Sequence, residues 1–149
     1  MPARKNNAID LKIWNPLFPS SNEVQFKNYL AVLDTGNSGR YPTITKKLFN
    51  EWKELRIIKN DTSLPKKGIS LKSIDNKLFY VKTLKLPAPL TFLTTAGSEI
   101  KFQNFYVQDD MFSDINICKF AMSELGVRWD LKNEFVYLNN NKIPLKSYN

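Results

Sequence analysis

The sequence contains no histidine, one cysteine and five glycines in 149 residues. Without an imidazole, the chain cannot carry a Ser-His or Cys-His nucleophile pair, an HExxH zinc site or a histidine general base. Cys118 alone cannot form an intrachain disulfide or a four-thiolate zinc site. No GxGxxG, GxxxxGKS or GxxxxGKT spacing is present, so phosphate-binding loops are not indicated. Catalysis must therefore rest on carboxylates, hydroxyls, lysines or backbone groups, and we expect no cofactor and no metal.

Long apolar runs are also missing. No stretch approaches the ~18 consecutive apolar residues that a membrane-spanning helix needs. The N-terminal residues MPARKNNAID are basic but are not followed by the apolar segment of a secretory signal. We therefore expect a cytoplasmic or otherwise intracellular protein with no membrane partner. A hydrophobic fraction of 42% in a chain of this length predicts one domain over residues 1–149, with residues 1–8 as a loose N-terminal arm.

The charge is strongly positive, at +8. Such a charge suits an acidic partner such as nucleic acid. The basic residues are scattered, however, with doublets only at Arg4-Lys5, Lys46-Lys47 and Lys66-Lys67. Because no segment concentrates them with interleaved aromatic residues, a solvated surface is favoured over a nucleic-acid interface.

Apolar alternation and turn residues predict mainly β structure with two short helices. Strands are predicted at 9–14, 24–33, 68–73, 78–86, 100–107, 114–117, 127–130 and 135–138. Pro87 and Pro89 are predicted to end the ribbon that contains the fourth strand. Thr43 is predicted to cap a helix that carries Ile44, Leu48, Trp52 and Leu55 on one face. The second helix is predicted at 119–125, with Gly126 as a left-handed C-terminal cap.

One turn carries chemistry. The apolar strand that ends at Leu33 is followed by the sequence Asp34-Thr35-Gly36-Asn37-Ser38. This segment resembles the active-site loop of aspartic peptidases, in which an apolar strand leads into an Asp-Thr-Gly turn. The tripeptide also forms ordinary turns, because Asp and Thr bond to local backbone and Gly adopts a positive φ. The tripeptide alone therefore does not identify a catalytic site.

A second segment, 114–130, strengthens the resemblance. An acidic residue, a short apolar inner strand, a short helix, a glycine and a final strand ending in Asp follow one another without gaps. This order resembles the second signature of retropepsin-like, single-lobe aspartic peptidases, and the resemblance extends from Phe26 to Leu138. It implies a closed, acid-protease-like β-barrel in which a single lobe forms a homodimer.

The resemblance also implies an activity. An aspartic peptidase needs two facing carboxylates, and this chain has a single Asp-Thr-Gly. The chain is therefore expected to pair with itself, so that Asp34 meets its symmetry mate and the two carboxyls share a proton and activate water. By the same resemblance, Thr35 would lock the two loops together and Gly36 would let the backbone turn beneath the carboxylates. The implied function is an aspartic endopeptidase acting on a protein or peptide substrate.

Substrate contacts are expected from the same loop and from a flap. Asn37 and Ser38 are candidate substrate-binding residues, and Ser38 would bond to the outer oxygen of Asp34 or cap the loop. The hairpin over 70–80 is the candidate flap, with Ile74, Asp75 and Asn76 at its tip covering the cleft. The alternative flap is the turn over 94–98, which contains a glycine.

The chain departs from the family pattern at a few positions. Asn37 replaces the usual Ala or Ser after Asp-Thr-Gly, and Asn116, Ile117 and Cys118 replace an apolar pair and a glycine. Two alternatives therefore stay open. The first is a catalytically inactive module that retains dimerisation and peptide binding. The second, less favoured, is a basic nucleic-acid-associated protein.

Overall fold

The structure is a computed structural model that describes residues 6–14, 26–72, 76–111 and 113–147. These residues form eleven strands and two helices. In chain order the elements are β1 (Asn6–Trp14), β2 (Phe26–Asp34), β3 (Thr43–Thr45), α1 (Lys46–Glu54), β4 (Ile69–Lys72), β5 (Leu78–Thr94), β6 (Glu99–Gln108), β7 (Ile115–Cys118), α2 (Lys119–Glu124), β8 (Arg128–Asp130), β9 (Phe135–Leu138), β10 (Asn141–Pro144) and β11 (Lys146–Ser147). No helix in these ranges is long and apolar enough to cross a membrane.

Most strands belong to one sheet that closes into a ring. Its order is β11-β1-β2-β7-β3-β6-β5-β4, and a further pairing of β1 with β5 brings the two sides together. The strands β10, β9 and β8 form a separate three-stranded sheet. The prediction of a mainly β, closed fold with two short helices is confirmed. The apolar faces of the ring strands point to a shared interior, where burial of apolar surface stabilises the fold.

The centre of that interior is aromatic. Trp52 of α1 is fully buried, and its ring lies edge-on to Tyr29 at 6.3 Å and to Phe105 at 5.4 Å. The indole nitrogen donates to the Tyr29 hydroxyl at 3.3 Å, and that hydroxyl donates to Glu51 at 2.6 Å. Burial and the adjacent Glu51 carboxylate raise the pKa of Tyr29 well above its usual range, so the hydroxyl keeps its proton. These contacts fasten α1 to β2.

The first helix begins two residues later than the sequence predicts. Thr45, not Thr43, is its N-cap, and the Thr45 side chain accepts from the Leu48 backbone N–H at 3.0 Å. Thr43 and Ile44 instead lie in β3, between β6 and β7. The expectation for these two residues was wrong because long-range strand pairing outweighs the local helical pattern.

The prediction that Pro87 and Pro89 end a ribbon was also wrong. Strand β5 continues to Thr94, and its pairing with β6 shifts register between Lys85 and Leu90. Proline lacks the N–H that a regular ladder needs, so the prolines lie where the ladder is interrupted. The Gln103 side chain donates to the Leu86 carbonyl at 2.9 Å and satisfies one backbone group there.

The described residues nearest the two termini contain more β structure than the sequence predicts. Residues 6–8, which were expected to belong to a loose arm, form the start of β1, and Ala8 is fully buried. The strands β10 and β11 were not predicted. A two-residue turn, Asn139-Asn140, joins β9 to β10 with φ values of 49° and 70°. An Asn-Asn pair is a recognisable signal for this type of hairpin turn.

The second helix and its surroundings agree with prediction. Strand β7 leads directly into α2, and Gly126 follows with a φ of +62°, as expected for a left-handed cap. The predicted closing hairpin is present as β8 paired with β9. The start of the strand predicted at 24–33, residues 24 and 25, lies outside the described residues.

Candidate active site

Asp34 lies at the end of an inner strand. The residues before it, Ala31, Val32 and Leu33, are buried, and Asp34 itself is half-buried. Strand β2 pairs in parallel with β7, which places Asp34 opposite Cys118 and Val32 opposite Asn116. Because neighbouring strands are about 5 Å apart, side chains on β7 can reach the Asp34 carboxylate. The two segments singled out in the sequence therefore meet at this point.

The loop after Asp34 folds back on the carboxylate. The Gly36 backbone N–H donates to Asp34 Oδ1 at 3.0 Å, and the Asn37 N–H donates to the Asp34 carbonyl at 3.2 Å. Thr35 is exposed between them. One carboxylate oxygen is thus held by the backbone of the Asp-Thr-Gly turn.

The second carboxylate oxygen is held by β7. The Asn116 side-chain amide donates to Asp34 Oδ2 at 3.0 Å. Sequence reasoning noted Asn116 as a departure from the family pattern but did not assign it to the site. The signal that could have identified it is a polar side chain within an otherwise apolar inner strand next to the catalytic loop.

Asn37 lies inside the loop and connects its parts. Its side chain accepts from the Gly39 N–H at 2.8 Å and donates to Asn116 Oδ1 at 3.0 Å, and its carbonyl accepts from the Lys119 N–H at 3.1 Å. Asn37 is only 6% exposed. A buried amide of this kind is stabilising only because its polar atoms are paired. Its predicted contact with substrate stays a prediction, and both ends of its side chain are already bonded within the chain.

Ser38 faces the candidate flap. Its hydroxyl donates to the Lys72 carbonyl at 3.3 Å. The donor on Asp34 Oδ2 is the Asn116 amide, and the two roles left open for Ser38 stay predictions. Ser38 is exposed, so it remains available at the rim of the loop.

The candidate flap is a hairpin of β4 and β5 that lies against the Asp34 loop. Pairing runs from Ile69 opposite Val81 to Lys72 opposite Leu78. Asn76 has a φ of +65°, as turn residues often do, whereas Ile74 and Asp75 lie outside the described residues. A Cβ on Gly39 would come within 3.3 Å of the Leu71 side chain, so the loop and the hairpin are in close contact.

The alternative flap has a different shape. Leu93 already pairs with Glu99 at the base of the 94–98 segment. The hydroxyls of Thr94 and Ser98 are 2.7 Å apart, and Gly97 adopts a φ of +79°. This segment is a tight turn closed by its own hydrogen bonds, which leaves the β4–β5 hairpin as the better candidate.

Cys118 occupies the position where the family has a glycine. Its side chain is fully buried, and this burial raises the pKa of the thiol. A thiol with a raised pKa carries little thiolate at neutral pH and is a poor nucleophile. Cys118 therefore packs as a small apolar side chain beneath the loop. Across the described ranges, no group of three or more His, Cys, Asp or Glu side chains is placed to hold a metal ion.

Comparison with solved structures finds the same architecture elsewhere. The chain is similar to the retroviral protease-like domain of Ddi1 from Leishmania major, with a TM-score of 0.58. The fold is retropepsin-like. The similarity covers 95% of this chain and 93% of the other at 17% sequence identity, so it describes the fold alone. No protein-family model matches the sequence, and no curated protein matches it.

The two sequence segments that carry the resemblance lie next to each other in the retropepsin-like fold. The first segment ends β2 and the second begins with β7, and these two strands are neighbours in the ring. An identity of 17% is compatible with a shared fold, because many combinations of apolar side chains can fill the same interior.

Proposed function

We propose that the chain is an aspartic endopeptidase that acts as a homodimer. The observation that carries this proposal is the Asp34 carboxylate, half-buried at the end of an inner strand of a retropepsin-like fold, with a hydrogen-bond donor on each oxygen. Donors fixed on both oxygens hold a carboxylate in one orientation, as a catalytic group requires.

The second carboxylate would come from a second copy of the chain. The sequence contains one Asp-Thr-Gly, and a two-fold axis beside Asp34 would bring two such loops together. Two carboxyls a few ångströms apart hold one proton between them. The ionised member takes a proton from water, whose oxygen attacks the peptide carbonyl, while the protonated member donates to the carbonyl oxygen. Thr35, exposed beside Asp34, would contact the partner loop.

Substrate would bind as an extended strand between the loops and the flap. The hydroxyl of Ser38 donates to the Lys72 carbonyl, so the loop and the hairpin that would enclose the peptide are in contact. Backbone hydrogen bonds to the peptide would provide affinity and side-chain pockets would provide specificity. Ile74, Asp75 and Asn76 at the hairpin tip would cover the peptide and exclude water.

An inactive peptide-binding dimer is the second candidate function. The observation that favours it is the fully buried Cys118 side chain, which lies opposite Asp34 where the resemblance predicts a glycine. A fold that retains the loop and the hairpin could bind peptide without cleaving it.

Cleavage of unfolded protein substrates tests the proposal directly. We would compare the wild-type chain, Asp34→Asn and the matched control Asp110→Asn, which changes an exposed aspartate between β6 and β7. Reactions would run from acidic to neutral pH at high protein concentration, with products identified by mass spectrometry. The proposal predicts cleavage by wild type and the control and none by Asp34→Asn. If none of the three chains cleaves the substrates, in samples shown to be folded dimers, the result would favour the inactive module.

A further inference from the structure

A continuous chain of hydrogen bonds runs from the backbone into the Asp34 carboxylate. We call Gly39, Asn37, Asn116 and Asp34 the amide relay. The three links measure 2.8 Å, 3.0 Å and 3.0 Å in that order. We propose that Asn116 is a positioning residue that fixes the orientation of Asp34, and that Asn37 acts by fixing the orientation of Asn116. The inference rests on the proposed function, because it takes Asp34 as the catalytic carboxylate.

The direction of the relay follows from its backbone end. The Gly39 N–H can only donate, so the side-chain oxygen of Asn37, Oδ1, must face it. The Asn37 amide nitrogen then faces Asn116 and requires an acceptor there. This requirement turns the Asn116 oxygen toward Asn37 and its nitrogen toward Asp34. An Asn side chain can otherwise flip with little change in shape, and here each flip would set like groups against each other.

The relay supplies a donor that the Asp-Thr-Gly turn lacks. The turn holds Asp34 Oδ1 through the Gly36 N–H and leaves Oδ2 to the Asn116 amide. With both oxygens held, rotation about the side-chain bonds of Asp34 is restricted. A carboxylate that already points in its reactive direction needs less reorganisation when charge moves in the transition state.

Two of the departures from the family pattern, Asn37 and Asn116, are thereby explained together. Asn37 alone would bury an amide that lacks a partner for its nitrogen, and Asn116 alone would leave its oxygen unpaired next to a carboxylate. Each satisfies the other across 79 residues of sequence. Asn37 is a linked substitution with a role through Asn116, and it does not by itself indicate loss of activity.

The first experiment measures the rotamer of the Asp34 side chain about its Cα–Cβ bond, without any substrate. Three-bond couplings between the α and β protons of Asp34 report whether the side chain occupies one rotamer or averages over several. The relay predicts a single rotamer in the wild-type chain and in Asn50→Leu, a matched control on the exposed face of α1. It predicts averaged couplings in Asn116→Leu. A single Asp34 rotamer retained in a folded Asn116→Leu chain would overturn the inference, whatever the chain cleaves.

The second experiment tests the order of the relay by a double-mutant cycle. Asn116→Leu is expected to lower kcat by about 10- to 100-fold, as a small misplacement of a catalytic group does, with KM nearly unchanged. Asn37→Ala is expected to lower kcat less. Since Asn37 acts through Asn116, adding Asn37→Ala to the Asn116→Leu chain should have no further effect on kcat. Independent, multiplicative effects would overturn the proposed order of action.

The two experiments separate the two proposals. If the wild-type chain cleaves nothing but Asp34 loses its single rotamer in Asn116→Leu, the proposed function fails and the positioning role stands. If the chain cleaves peptides and neither variant alters the rotamer or kcat, the proposed function stands and the positioning role fails.

Discussion

The interior around Trp52 and the relay around Asp34 are held together by different kinds of contact. Trp52 is fully buried against aromatic rings, including Phe92 at 6.0 Å and Phe105 at 5.4 Å. Such packing depends mainly on buried area and tolerates small changes in angle. The relay depends on the direction of each donor, and it ends at the half-buried Asp34 carboxylate.

A single strand contributes to both kinds of contact. Tyr29 and Asp34 belong to the same strand, β2, yet Tyr29 contacts the aromatic interior and Asp34 the relay. Buried side chains along β2, from Tyr29 to Leu33, stabilise the fold, while hydrogen bonds at the C-terminal end of the strand orient the Asp34 side chain. Substitutions in the interior should therefore reduce stability most, whereas relay substitutions should affect stability less and cleavage more.

Trp52→Ala should have the largest effect on stability. Removing a fully buried tryptophan leaves a cavity and also removes the donor to the Tyr29 hydroxyl. We expect the free energy of unfolding to fall by about 3–5 kcal/mol. Urea denaturation measures the change, and Trp52→Phe, which keeps an aromatic ring, should lose less. A loss below about 1 kcal/mol for Trp52→Ala would contradict the claim that the aromatic interior contributes most to stability.

Asn37→Ala should have an intermediate effect. The change leaves the buried Gly39 N–H and Asn116 Oδ1 without their partner. The expected loss in the free energy of unfolding is about 1–3 kcal/mol. The control is Ser38→Ala, the next residue, which is exposed and should change stability little. A loss as large as that of Trp52→Ala would show that the relay stabilises the fold as strongly as the interior does.

Thr45→Ala should cost less again. It removes the side-chain acceptor for the Leu48 N–H at the start of α1. Loss of an N-cap costs about 0.5–2 kcal/mol, and Thr45→Ser should restore most of it. A lower melting temperature for Thr45→Ala than for Thr45→Ser, with equal cleavage by both, would show that Thr45 contributes to stability and not to cleavage. Equal melting temperatures would contradict the capping role.

Asp114→Asn should have the smallest effect, and one that depends on pH. Partial desolvation, together with the nearby Glu51 carboxylate, raises the pKa of the Asp114 side chain in the folded chain. A raised pKa means that ionisation of Asp114 opposes folding as pH rises through the folded value. The variant should therefore melt slightly above wild type at neutral pH, and the difference should shrink below the ordinary aspartate pKa. A difference that grows on acidification would have the wrong sign.

The sequence predicts those elements around the candidate site whose residue patterns are continuous along the chain. An apolar strand before Asp34 and an inner strand, helix and glycine ending at Gly126 predict β2, β7 and α2, and the structure agrees. Local pattern could not reveal the bond from Asn116 to Asp34, because the two residues are 82 positions apart. It also missed β3, which is held by strand pairing on both sides, and the continuation of β5 beyond Pro89. The assignments of Ile74 and Asp75 to a flap tip stay predictions.

The central claim is that two copies of Asp34 form one catalytic centre, and subunit mixing tests it most directly. Wild-type chain would be refolded with about a threefold excess of Asp34→Asn, and cleavage measured per wild-type chain. Random pairing puts about three quarters of the wild-type chains opposite a mutant partner. If both carboxylates of a dyad are required, mixed dimers are inactive and activity per wild-type chain falls to about one quarter. Asp110→Asn as the diluent keeps both carboxylates, so activity per total chain should stay at the wild-type value. Activity per wild-type chain that is unaffected by Asp34→Asn would contradict the shared dyad.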